Sequence, residues 1–219
     1  MQVPQHLGSA SSAVLDGFLA DDDVLQLVPV TLLEHAATQA GPSWGLDRID
    51  ERHLPLDGRY TFSGDSSSAG AGVWVYILDS GVRWNHTNFQ GRGRAGTFWP
   101  YVGVSNELDN NGHGTHVAGI AASQLYGVAK GSNIVSVKVL DDQGLGTSDA
   151  VVAGLNWVVA DRRVANHRKV INLSLSGTPS EALEAAIYQA YLAGLTLVAA
   201  AGNSNDDACF YRPHGPRGC

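Results

Sequence analysis

Val73-Trp74-Val75-Tyr76-Ile77-Leu78 runs straight into Asp79-Ser80-Gly81. Six apolar, β-favouring residues without polar alternation suit a strand covered on both faces, as in a parallel sheet. Three further stretches, 134–140, 169–176 and 195–201, are also predicted to be strands, the last ending in Gly202-Asn203. Between them the apolar spacing changes to that of helices. These are predicted over 115–123, 149–164 and 179–193. The second has Thr147 or Ser148 as its cap and Val151, Leu155, Val158 and Val159 on one face. Thr178-Pro179-Ser180-Glu181 reads as a capping box with proline at the first helical position, and Gly194 as the stop. Strands alternating with helices predict a doubly wound α/β fold around a mainly parallel sheet.

The composition fits such a fold. Of 219 residues, 44% are hydrophobic and 16% charged, the values of a packed chain rather than a disordered one. The length suits one well-buried domain, or a large part of a bigger one. A formal net charge of -7 argues against a nucleic-acid partner. No apolar run is long enough to span a bilayer, so no membrane partner is expected. The start, Met1-Gln2-Val3-Pro4-Gln5-His6, shows no secretory signal. Cys209 and Cys219 make neither a disulfide framework nor a metal signature.

Residues 1–40 differ from the rest. Asp21-Asp22-Asp23 precedes Val24-Leu25-Gln26-Leu27-Val28-Pro29-Val30, a β-like run that Pro29 would interrupt or place at an edge. Gly41-Pro42-Ser43 then signals a turn, and 63–70 is a loop by composition.

In open parallel sheets the working residues collect at the carboxyl ends of the strands. Asp79 and Asn203 fall there. His113 sits between Gly112 and Gly114, where a polar loop turns into a helix of small residues. General base, metal ligand and structural residue are all open readings of it. A zinc site would draw on His113, His116 and Asp79, but zinc helices space their histidines by four with a glutamate between. An aspartate beside a histidine fixes its tautomer and stabilises the imidazolium formed on taking a proton. The Asn203 amide could donate to a developing oxyanion, a contact worth about 3–4 kcal/mol. Together the three residues form parts of an acyl-transfer site.

Here the chain resembles the subtilase family of serine proteases, most closely its proteinase K-like branch. The resemblance rests on Tyr76-Ile77-Leu78-Asp79-Ser80-Gly81, on Gly112-His113-Gly114-Thr115-His116-Val117-Ala118-Gly119 and on Ala200-Ala201-Gly202-Asn203. Tyr126-Gly127-Val128-Ala129, Val137-Lys138-Val139-Leu140-Asp141 and Asn172-Leu173-Ser174-Leu175-Ser176 add to it. It implies a sheet of the subtilisin type, incomplete at the C-terminus, over residues 41–211. Asp79 and His113 would be catalytic and Asn203 the oxyanion donor. Gly144, Leu145 and Gly146, with Ser174, Leu175, Ser176 and Gly177, would clasp an extended polypeptide substrate by β-augmentation. No cofactor is implied, and structural calcium is a question for a longer form. Residues 1–40 would be the remnant of an inhibitory propeptide, a partner to the site, with its last strand at 24–34 and processing near 35–38. Secretion is implied by the family alone.

The family nucleophile is the serine of Gly-Thr-Ser-Met-Ala, a segment this sequence does not contain. Ser204, Ser174 and Ser176 lack the helix-opening context. Residues 212–219, Arg-Pro-His-Gly-Pro-Arg-Gly-Cys, read as an aberrant tail. In relatives a cysteine like Cys209 often pairs with one farther along. The chain as written is therefore expected to be inactive as a peptidase and marginally folded. The alternative is a non-catalytic pseudoprotease or splice isoform that binds peptides or a protease inhibitor. Asn85-His86-Thr87 and Asn172-Leu173-Ser174 are glycosylation sequons, the second expected to be shielded in a strand.

Overall fold

The computed structural model describes residues 36–98 and 106–205, together with Ala13, Asp16, Gly17 and Ala20. The chain divides into two units, Met1–Glu34 and His35–Cys219. In the first, the Ala20 amide donates to the Asp16 carbonyl at 3.1 Å. The run expected at 24–34, both cysteines and the tail 212–219 lie outside the described residues.

The second unit opens with an antiparallel pair, β1 (Ala36–Ala40) and β2 (Arg59–Ser63), joined through helix α1 (Trp44–Asp50). Five parallel strands follow: β3 (Trp74–Asp79), β4 (Gly93–Phe98), β5 (Asn133–Lys138), β6 (Lys169–Leu173) and β7 (Thr196–Ala199). Their order across the sheet is β4-β5-β3-β6-β7. Three helices cover it: α2 (His113–Ala122), α3 (Ser148–Ala160) and α4 (Glu181–Leu192). The α/β fold expected of the sequence is the one observed.

β3 explains the unbroken apolar run. Successive side chains leave a strand on opposite faces, and here each face meets a helix layer. Tyr76 and Leu78 pack with Val151, Leu155 and Val158 of α3 and with Leu183, Ala186 and Ala190 of α4. Val75 and Ile77 pack on the other side with Ala118 and Ala122 of α2. The same parity turns Asp79 toward α2. That helix presents Gly114, Ala118 and Ala122 to the sheet, one small residue every turn, so its axis can lie close.

Several boundaries differ from those read in the sequence. The expected strand 169–176 ends at Leu173, because 174–177 leave the ladder and line a cleft instead. The strand expected at 195–201 spans Thr196–Ala199, with the Ala200 amide adding one bond to the Leu173 carbonyl. α2 begins at His113 rather than 115, and α3 stops at Ala160, short of 164. Pro179 lies outside α4: Ser180 is the N-cap, its hydroxyl accepting from the Leu183 amide at 3.4 Å. Gly194, with φ of +84°, provides the stop. β4, with the sequence GRAGTF, and the β1–β2 pair carry no apolar run and were not legible.

Candidate active site

Asp79 is the last residue of β3 and is fully buried. Its two carboxylate oxygens lie 2.8 and 2.9 Å from His113 Nδ1. The Ser80 amide also donates to it, at 2.7 Å. A buried carboxylate is tolerated only when paired and hydrogen-bonded, and this one is both. It holds the proton on Nδ1 and leaves Nε2 as the acceptor. The His113 side chain is 49% exposed, so that nitrogen is open to a cleft.

The contact depends on the turn ahead of α2. Gly112, at φ of +100°, is the helix N-cap. Asp109 accepts from the Gly112 amide at 2.8 Å, from the Thr115 amide at 2.9 Å and from the Ser80 hydroxyl at 2.9 Å. The Gly114 amide in turn donates to Ser80 Oγ at 3.1 Å. Asp109 thus satisfies amides that a helix start leaves unpaired. Burial works against its charge, but the donors Thr115, Gly112 and Ser80 outweigh that and hold its carboxyl below the ordinary range. Gly114 sets the distance: a Cβ there would lie 2.0 Å from the Gly81 carbonyl and 3.0 Å from Asp79 Cβ.

His113 opens onto a cleft of about 710 Å³. One wall is Gly144, Leu145 and Gly146, the other Ser174, Leu175, Ser176 and Gly177. The first wall is a tight turn. Its Asp141 accepts from the Gln143 and Leu145 amides at 2.9 and 2.8 Å, and Gly146 bridges back to Leu140. The seven residues proposed for peptide binding are therefore brought together around His113. Asn203 is not among the residues lining that cleft. It sits exposed in the turn after β7, at the same carboxyl edge of the sheet. β7 is two strands from β3, about 10 Å at ordinary strand spacing.

His116 lines a different space, an apolar groove of about 970 Å³ that also includes Trp44 and Ile120. The two histidines thus line different spaces, and of the two it is His113 that Asp79 holds. Sequence reading missed Asp109, Lys138 and Asp142, all of which brace the site. The one available signal was the polar run 109–112 just ahead of His113, dense in residues that cap helices.

The subtilase family model matches residues 70–217. The chain belongs to the subtilase family. It is 50% identical over 179 residues to the "Extracellular serine proteinase" of Thermus sp. (strain Rt41A), a match covering 81% of this chain and 41% of the relative. It is 42% identical over 213 residues to the "Alkaline serine exoprotease A" of Vibrio alginolyticus, covering 96% and 38%. The chain therefore spans about two fifths of the length of these relatives. Among solved structures, a cold-adapted subtilisin-like serine proteinase superposes with a TM-score of 0.71 at 43% identity, over 80% of this chain and 61% of that one. The subtilisin-type sheet expected of the sequence is confirmed by this likeness.

Proposed function

We propose that this subtilase chain supplies the base, the orienting carboxylate and the peptide-binding walls of a serine endopeptidase. The observation that carries the reading is the buried Asp79 hydrogen-bonded to His113 Nδ1, with the imidazole opening into a cleft between two backbone walls. In this reading an extended polypeptide lies along Gly144–Leu145–Gly146 and Ser174–Leu175–Ser176–Gly177. His113 Nε2 takes the proton of an attacking hydroxyl, Asp79 stabilises the imidazolium, and Asn203 donates to the oxyanion.

The hydroxyl itself is proposed to come from a Gly-Thr-Ser-Met-Ala segment outside these 219 residues, which contain none. By themselves they then hydrolyse no peptide bond, since losing the nucleophile costs on the order of 10⁶ in turnover in this class of enzyme. Residues 1–40 hold a propeptide remnant, with processing near 35–38. The pairing of Ala36–Ala40 with Arg59–Ser63 supports a processing bond on the amino side of β1. The relative named an extracellular serine proteinase supports secretion. A second reading, peptide capture without hydrolysis, is favoured by the presence of both cleft walls in the chain as it stands.

The test is a casein digestion by the purified 219-residue chain, with and without a serine-directed phosphonylating reagent. No cleavage is expected. Cleavage abolished by the reagent would mean that a serine within the chain is the nucleophile, and would overturn the assignment.

A further inference from the structure

Asp142 stands just beyond β5, in the turn that forms the first cleft wall, and three bonds leave it for three parts of the site. Its Oδ1 accepts from Lys138 Nζ at 2.9 Å, its Oδ2 from Asn110 Nδ2 at 2.9 Å, and its backbone carbonyl from Asn111 Nδ2 at 3.1 Å. Each partner carries the connection onward. Lys138, fully buried, also donates to the carbonyl of Ser80, next to Asp79, at 2.5 Å. Asn111 accepts from the backbone amide of His113 at 3.2 Å through Oδ1, and so holds the first residue of the helix, the base itself. Gly144 lies over the same asparagine: a Cβ added to it would come 3.4 Å from Asn111 Nδ2.

We propose that Asp142 is a positioning residue that ties the Gly144–Leu145–Gly146 wall to the His113 turn, fixing the width of the cleft and the pose of the imidazole together. The proposal rests on reading that wall as the substrate edge. A buried ammonium needs an anionic partner, and Lys138 has Asp142, whose own side chain is 35% exposed. Asn110, then Lys138, hold the Asp142 carboxyl below its ordinary range, so it is an anion at neutral pH. The anchor joins groups 30 or so residues apart in sequence, as the Asn110 and Asn111 contacts show. A change at either end must move the other, because one short turn carries all three bonds.

The experiment uses the isotopically labelled 219-residue chain and its Asp142→Ala, Asp142→Asn and Asn110→Ala variants. Two quantities are read by NMR: the resonances of His113 Nδ1–H and of the 144–146 amides, and the affinity for a capped tetra-alanine peptide. Asp142→Ala is expected to move both sets of resonances together and to weaken the peptide about tenfold, the loss typical of a hydrogen bond to a charged group. Asn110→Ala, at an exposed position that leaves Lys138 paired, is expected to move the same resonances with β3 and β5 amides unmoved. Asp142→Asn, which keeps an acceptor, should restore part of the affinity. Should Asp142→Ala fail to fold, Asn110→Ala decides. The proposal is overturned if Asn110→Ala leaves the His113 and 144–146 resonances in place, or moves the strands equally. If the unaltered chain binds no peptide, the substrate-edge reading falls, while joint movement of those resonances still decides the role of Asp142.

Discussion

Asp79 is fully buried, and the chain surrounds its carboxyl group with donors. His113 Nδ1 and the Ser80 amide take its lone pairs. Replacing it by asparagine keeps the shape but lets the imidazole adopt the other tautomer. In a form carrying the nucleophile, Asp79→Asn is expected to lower kcat about 10⁴-fold with KM little changed. Steady-state kinetics would check this; an equal rise in KM instead would mean that Asp79 serves binding. Gly114 is the second critical residue, for want of space rather than charge. Its added Cβ would meet backbone at 2.0 Å, which no rotamer can relieve. Gly114→Ala is expected to destabilise the fold by about 1–3 kcal/mol, and to lengthen the Asp79–His113 contact. A urea midpoint unchanged from the parent would show that the helix start can yield at no cost.

At the scale of elements, the turn 109–112 and helix α2 form one device. Asp109 lies below its ordinary pKa because the donors Thr115, Gly112 and Ser80 outweigh burial. A depressed folded-state pKa adds stability above the unfolded value, about 3.9. That stability is lost as pH falls through the folded value. Asp109→Asn should therefore be less stable than the parent at pH 7, and the gap should close as pH drops below about 4. Urea midpoints across that range test it, and a gap independent of pH would contradict it. On the opposite face, α3 is held by Leu155, which is fully buried against β3 and β5 neighbours. Leu155→Ala is expected to cost about 2–5 kcal/mol, measured by the same method.

These elements also show what a sequence can disclose. Strands buried on both faces announce themselves by their apolar residues: Trp74 to Leu78 without a break in β3, and Ile134, Val135 and Val137 in β5. β4 is an edge strand in which Gly93 and Gly96 approach other backbone, so it lacks that signal. The stretch 174–177 looked like more of β6, since a cleft wall and a strand share extended backbone and alternating side chains. The Asp79–His113 contact was foreshadowed by the place of Asp79 at the end of an apolar run and by the glycines on either side of His113. Asp142 was not, because its role arises from contacts with residues 110 and 111, which no local pattern records.

Taken whole, the described part of the second unit is built on a parallel sheet with the Asp79–His113 pair at its carboxyl edge and a cleft of about 710 Å³ beside it. All five strands point the same way, so β3, β6 and β7 deliver Asp79, the 174–177 wall and the Asn203 turn to one edge. That is why residues far apart in sequence could be assigned to one site before any contact was known. The central claim is that this edge is the base half of a serine endopeptidase and needs only a nucleophile. It is tested most directly by joining residues 1–211 to the complementary C-terminal part of the Thermus relative and assaying peptide hydrolysis beside the 219-residue chain. Hydrolysis by the folded chimera, abolished by His113→Ala, with none from the 219-residue chain, is the result expected. A folded chimera without activity, or one indifferent to His113→Ala, would contradict the claim.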